Sequence, residues 1–151
     1  MRKVLVSGGF DPVHIGHIQL FKDAKALGDY LIVLANSDGW LRAKKGFVFM
    51  GENERKAIIE SIRWVDEVRI THHGDNPKDM SVCKDLAEIN PDIFANGGDR
   101  NKQDASLTSS SLNPEAKLCS ELGIKMAFNV GGEKLQSSSS LVKKAKENSK
   151  N

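Results

Sequence analysis

Residues 6–18 read VSGGFDPVHIGHI. An apolar run ends in two glycines, an aspartate and a proline follow, and two histidines stand three apart where an amphipathic segment begins. This is the pattern of a strand-to-helix turn. Gly8 and Gly9 permit positive φ and let backbone N–H groups come close to a ligand. A helix starting near His14 presents unpaired N–H groups and the positive end of its dipole, which suits a phosphate. His14 and His17 share one face of that helix and reach the same anion, and Gly16 between them leaves room for a ligand against the backbone. Asp11 is expected to cap the turn or to help hold a magnesium-bound phosphate. Two histidines three apart also suit zinc, but no cysteine or third histidine lies at a familiar ligand spacing.

Outward from this turn, two kinds of segment alternate. KVLVS (3–7), YLIVLA (30–35), EVRIT (67–71), DIFAN (92–96) and IKMAFNV (124–130) are short apolar runs and read as buried strands. Helical spacing is expected over 15–27, closed by Gly28, and over 52–63 and 78–89, the last stopped by Asn90-Pro91. A further helix follows Pro114 and ends at Leu122-Gly123, and the serines near 137–140 open a final one. Strands alternating with helices imply right-handed βαβ units. The expected fold is α/β, a Rossmann-like five-stranded parallel sheet with helices on both faces. Two segments escape the pattern, 42–52 and 97–113, and both fall at the carboxyl ends of strands, where open α/β sheets bind ligands.

The composition sets bounds. With 151 residues the chain makes one domain, read as 1–145 with a flexible basic tail over 146–151. Cys83 and Cys119 are far apart and read as reduced thiols of a cytoplasmic protein. No signal peptide or membrane-length apolar run is read. The balance of 22 basic and 20 acidic residues, net +2, is too even to require a nucleic-acid partner.

Gly8-Gly9-Phe10-Asp11-Pro12-Val13-His14-Ile15-Gly16-His17 resembles the G-x-F-D-x-x-H-x-G-H signature of the cytidylyltransferase-like nucleotidyltransferases at every defining position. Other segments are similar to that family in the same order. NSDGW (36–40) resembles its Asn/Ser-x-Asp loop, and Lys44 and Lys45 fall where it places phosphate-contacting lysines. ERKAIIESIRWVDEV (54–68) is very similar to a segment of the glycerol-3-phosphate cytidylyltransferases. NGGDR (96–100), with Gly97, Gly98 and Asp99, resembles the nucleoside loop, in the form seen in heptose-phosphate adenylyltransferases. QSSSSLVKKA (136–145) resembles the signature opening the last helix, with Ser137, Ser138 and Ser139 as its phosphate-binding hydroxyls. The arginine that cytidylyltransferases carry just before that signature is missing, and Lys134 stands nearby. Arg63 and Asp66 read either as a structural ion pair or as part of a dimer contact, Trp64 as core or interface, and His72 and His73 as loop residues.

The resemblance implies transfer of CMP from CTP to a small phosphorylated alcohol or sugar, with pyrophosphate released. Alternatives are ATP-dependent adenylyl transfer to a sugar phosphate and a nucleotide-binding module without turnover. His14, His17, Lys45 and Ser138 are the implied catalytic groups. Gly8, Gly9, Phe10, Asp11, Gly16, Lys44, Gly97, Gly98, Asp99, Ser137 and Ser139 are the implied nucleotide site, with Mg²⁺ as cofactor met by Asp11. A homodimer is implied, with no membrane partner.

Overall fold

The computed structural model describes residues 1–97, 112–132 and 138–149. Five parallel strands, β1 (Lys3–Gly8), β2 (Tyr30–Ala35), β3 (Glu67–Ile70), β4 (Ile93–Gly97) and β5 (Lys125–Val130), form one sheet in the order β3-β2-β1-β4-β5. Each matches an expected strand to within a residue or two at either end. The chain winds outward from β1 in one direction, then returns to β1's other side with β4. That reversal leaves a crevice above the carboxyl ends of β1 and β4.

Alternation along the strands sends side chains to both faces, which is why these runs are continuously apolar rather than alternating. Val4, Val6, Leu31, Val33, Ala35 and Val68 meet Phe21, Ala24 and Ile59 on one side. Leu5, Ile32, Leu34 and Phe94 meet Val82, Leu86, Cys119 and Ile124 on the other. The first face is covered by α1 (Ile15–Lys25) and α3 (Glu52–Glu60), the second by α4 (Cys83–Ile89) and α5 (Leu112–Leu122). The closing helix α6 spans Ser138–Ser149, so residues 146–149, expected in the tail, are helical.

Two helix boundaries and one additional helix differ from expectation. The helix expected over 52–63 stops at Glu60, and the one over 78–89 starts only at Cys83. Between β2 and α3 lies a helix the apolar spacing does not show, α2 (Asp38–Lys45). Only Leu41 of its large apolar side chains is buried, so no stripe marks it. Its ends are made by local chemistry instead. The Ser37 hydroxyl accepts the Trp40 N–H at 3.2 Å, and Gly46, at φ 85°, closes the last turn with its N–H on the Arg42 carbonyl. Asp38 in the first turn and Arg42, Lys44 and Lys45 in the last complement the helix dipole.

Candidate active site

The β1–α1 turn departs from the sequence reading in an informative way. Neither Gly8 nor Gly9 has positive φ; the left-handed residue is Phe10, at φ 51°. Its ring is buried, edge-on to Phe21 at 5.3 Å and to His17 at 4.9 Å. That ring explains Gly8, where an added Cβ would sit 2.9 Å from Phe10 Cζ, while a Cβ on Gly9 would come 3.1 Å from Leu41. The glycines are required for space and the strain falls on the phenylalanine, which its packing holds in place. The Asp11-Pro12 peptide is cis.

His14, not Asp11, caps α1. Its Nδ1 accepts the Gly16 N–H at 3.1 Å, while the His14 N–H donates to Nδ1 of His17 at 3.1 Å. The two rings stack with centroids 3.7 Å apart. Since each Nδ1 is an acceptor, each ring in its neutral form carries its hydrogen on Nε2. The reciprocal cap therefore fixes the tautomer of both histidines, with the hydrogen of each neutral ring on Nε2.

Asp11 has a different task. It is buried, and its two oxygens accept the Phe49 N–H at 2.7 Å and the Met50 N–H at 2.6 Å. It thereby draws the segment after α2 onto the turn. Arg55, fully buried, does the same from below. Its Nη1 donates to the carbonyls of Gly9 at 2.8 Å and Asn36 at 2.7 Å, its Nε to Met50 at 2.8 Å, and its Nη2 to Asp38 at 2.9 Å. One guanidinium thus joins the ends of β1 and β2, the start of α2 and the loop before α3. Arg55 lies within the 54–68 segment, where sequence alone assigns it no role; an arginine beside Ala57, Ile58 and Ile59 is the one signal of its burial.

The loop after β3 is tied to α2. Ser37 Oγ donates to the His73 carbonyl at 2.7 Å, the Trp40 indole to the Met80 carbonyl at 2.8 Å, and Gly39 lies so close that a Cβ would be 2.3 Å from the Gly74 oxygen. His73 is a loop residue as expected, yet buried, with Nε2 on the Ser81 carbonyl at 2.9 Å. His72 Nδ1 meets Asp85 at 2.6 Å. In the same loop the Ser81 hydroxyl and N–H hold the Asp79 carboxyl below the usual carboxylate range.

The remaining candidates divide. Lys44 and Lys45 stand exposed in the last turn of α2. Gly97 ends β4, and Gly98 and Asp99 lie outside the described residues, as does Ser137. Ser138 donates its hydroxyl to the Pro12 carbonyl at 2.7 Å, joining the first turn of α6 to the cis-proline turn. Ser139 is exposed. The Arg63–Asp66 pair does not form: Asp66 binds Lys25, and Arg63 lies over Trp64 at 5.6 Å. Trp64 packs against the first core, as expected. Among the described residues no group of three or more His, Cys, Asp or Glu side chains could hold a metal ion, and no helix is long and apolar enough to cross a membrane.

A doubly wound sheet whose switch point holds a helix start lined by two tautomer-fixed histidines has the form of a nucleotide-binding α/β protein, although the Gly16, His17 and Ile18 N–H groups, expected to be unpaired, are taken up by His14. A family model described as cytidylyltransferase-like matches residues 5–145. A glycerol-3-phosphate cytidylyltransferase of Bacillus subtilis is 38% identical over 99 residues, covering 66% of this chain and 73% of the relative. An FAD synthase of Thermoplasma volcanium is 35% identical over 109 residues, covering 72% of each. The crystal structure of a lipopolysaccharide core biosynthesis protein from Thermoplasma volcanium superposes with a TM-score of 0.67 at 29% identity, covering 89% of this chain and 99% of that one. The chain belongs to the cytidylyltransferase-like family and is a nucleotidyltransferase.

Proposed function

We propose that this chain transfers CMP from CTP to a small phosphorylated alcohol or sugar, releasing pyrophosphate. The observation that carries the reading is the reciprocal cap of His14 and His17, which brings the two rings together at the start of α1 and sets their tautomers. A phosphate oxygen of the acceptor attacks the α-phosphorus, the bond to pyrophosphate breaks, and its electron pair leaves with the pyrophosphate. The attacking oxygen is already ionised at neutral pH, so the site needs no strong base. It supplies position and positive charge as charge moves onto the leaving group. His14 and His17 donate to the phosphates, and Lys44 and Lys45 on α2 neutralise them. Ser138 contributes by fixing α6 against Pro12. Magnesium, when bound with the nucleotide, would supply positive charge and would be held by the nucleotide's own phosphates; Asp11, whose oxygens accept the Phe49 and Met50 N–H groups, would offer it only its remaining lone pairs.

A second reading is adenylyl transfer from ATP. The relatives named FAD synthase favour it, since their named product contains an adenylyl group. The test is pyrophosphate release by the pure protein with CTP or ATP, magnesium and glycerol 3-phosphate or a sugar phosphate, beside calorimetric binding of each nucleotide. CTP-dependent release supports the first reading and ATP-dependent release the second. Binding without release under any combination returns the chain to a nucleotide-binding module. The working unit is taken as a cytoplasmic homodimer, which sedimentation of the pure protein tests.

A further inference from the structure

Among the described residues, one buried side-chain nitrogen or oxygen has no hydrogen-bond partner: Oδ1 of Asn36. The residue is only 5% exposed. Its main chain is held on both sides, the N–H on the Gly8 carbonyl at 2.9 Å and the carbonyl under Arg55 Nη1 at 2.7 Å. An unpaired side-chain oxygen on so firmly held a main chain needs an explanation, because an unmatched buried acceptor is costly.

Its position gives one. Asn36 follows β2 directly and continues that strand's alternation, on the face of Ile32 and Leu34. Ser7, after Leu5 on β1, and Asn96, after Phe94 on β4, share that face at the carboxyl ends of their strands. Buried polar neighbours at this level are satisfied: Thr71 Oγ1 by the Ser37 N–H at 3.0 Å, and Asn96 Nδ2 by the carbonyls of Phe94 at 3.4 Å and Ala127 at 3.3 Å. Among the buried side-chain oxygens of the described residues, that of Asn36 is the one left over.

The geometry points to Asn36 as a specificity-determining residue for the acceptor: Oδ1 receives a hydrogen bond from a hydroxyl carried near the acceptor's phosphate. This rests on the proposed phosphoryl-acceptor reading. An amide oxygen only accepts, and an ionised phosphate oxygen has no hydrogen to give, so the partner is a hydroxyl rather than the phosphate. Residues 96–100, at the end of β4 and across β1 from β2, resemble the family's nucleoside loop; on that reading a group above β2 faces the second substrate. A site built to bind a hydroxyl discriminates against analogues that lack it, because the site's own polar group is then left unpaired.

The test compares glycerol 3-phosphate, ribose 5-phosphate and glucose 1-phosphate with n-propyl phosphate, by calorimetric binding and by turnover. It uses wild type, Asn36→Leu and, should leucine misfold, Asn36→Ala. The expected result is a preference of about tenfold or more for at least one hydroxylated phosphate in wild type, corresponding to one hydrogen bond. In the variants that preference collapses toward unity while KM for the nucleotide is unchanged. The melting temperature of Asn36→Leu stays at or above that of wild type, since an unpaired oxygen has been removed. The proposal is overturned if the panel shows no hydroxyl preference, or if the preference survives in the variants. A rise in nucleotide KM alone would place the carboxamide on the nucleotide. Equal loss for hydroxylated and alkyl phosphates would show that it donates to phosphate instead. If turnover is absent throughout, the transferase reading fails, while the binding ratios still decide the role of Asn36.

Discussion

Arg55 Nη1 donates to the carbonyl of Gly9 at 2.8 Å, so the turn that carries the histidines is held by a side chain from a helix forty-six residues further on. The same buried guanidinium reaches Asn36, Met50 and Asp38. The strained Phe10 follows Gly9 directly, and the bond fixes the backbone on which that strain rests.

Replacing Arg55 by Met keeps most of the volume but strips three carbonyls and one carboxylate of their partner. Removing one side of a buried, hydrogen-bonded ion pair costs roughly 3–5 kcal/mol. We expect a loss of that size in urea unfolding, with the slope unchanged, and a fall in kcat/KM of about a hundredfold at temperatures where the variant is folded. Lysine should not rescue it, because it lacks the planar fork. Full activity in a folded Arg55→Met would show that the four bonds do not set the turn.

His17 has two functions that different substitutions separate. Alanine removes both the ring and the acceptor of the His14 N–H, so it is expected to cost about 1 kcal/mol of stability as a lost cap as well as turnover. Asparagine places its Oδ1 where Nδ1 stood, so His17→Asn should keep the cap and near-normal stability. It lacks the donor at the ring's far end, and its rate should still fall on the order of a hundred- to a thousandfold. Turnover near wild type in His17→Asn, measured by pyrophosphate release, would take the ring out of the chemistry.

Asp66 makes stability depend on pH at the amino end of the sheet. Burial, the largest influence, pushes its carboxyl up, but the Lys25 ammonium and the Leu31 N–H together hold it below the usual range. A carboxyl lowered in the folded state stabilises above its unfolded value, near pH 4, and that contribution is lost as the pH falls through the lowered value. The stability gap between wild type and Asp66→Asn should therefore be constant from pH 5 to 8 and close below about pH 4. Urea midpoints across that range check it, and a gap that widened on acidification would contradict the assignment.

Much of this protein was legible along the chain. Buried parallel strands are continuous apolar runs whatever their neighbours, so β1 to β5 announce themselves, and two histidines three apart at a helix start are read from the order alone, although it is the cap rather than a shared helix face that brings them together. The helix α2 was not legible, because it buries only one large apolar residue and owes its ends to Ser37 and Gly46. Nor were the partners of its neighbours: which segment Asp11 would gather, or that Asp66 would choose Lys25 over Arg63.

What the amino-acid order determined by itself is the set of local elements and the glycine- and histidine-bearing turn from β1 to α1, since these depend on interactions within a few residues. Tertiary structure alone decided that Phe10 and not a glycine takes the left-handed conformation, that Arg55 holds the turn from below, and that Asn36 is left with an unpaired oxygen. Each is a matter of which distant groups meet in a space closed to water, where every polar atom must find a partner or remain without one.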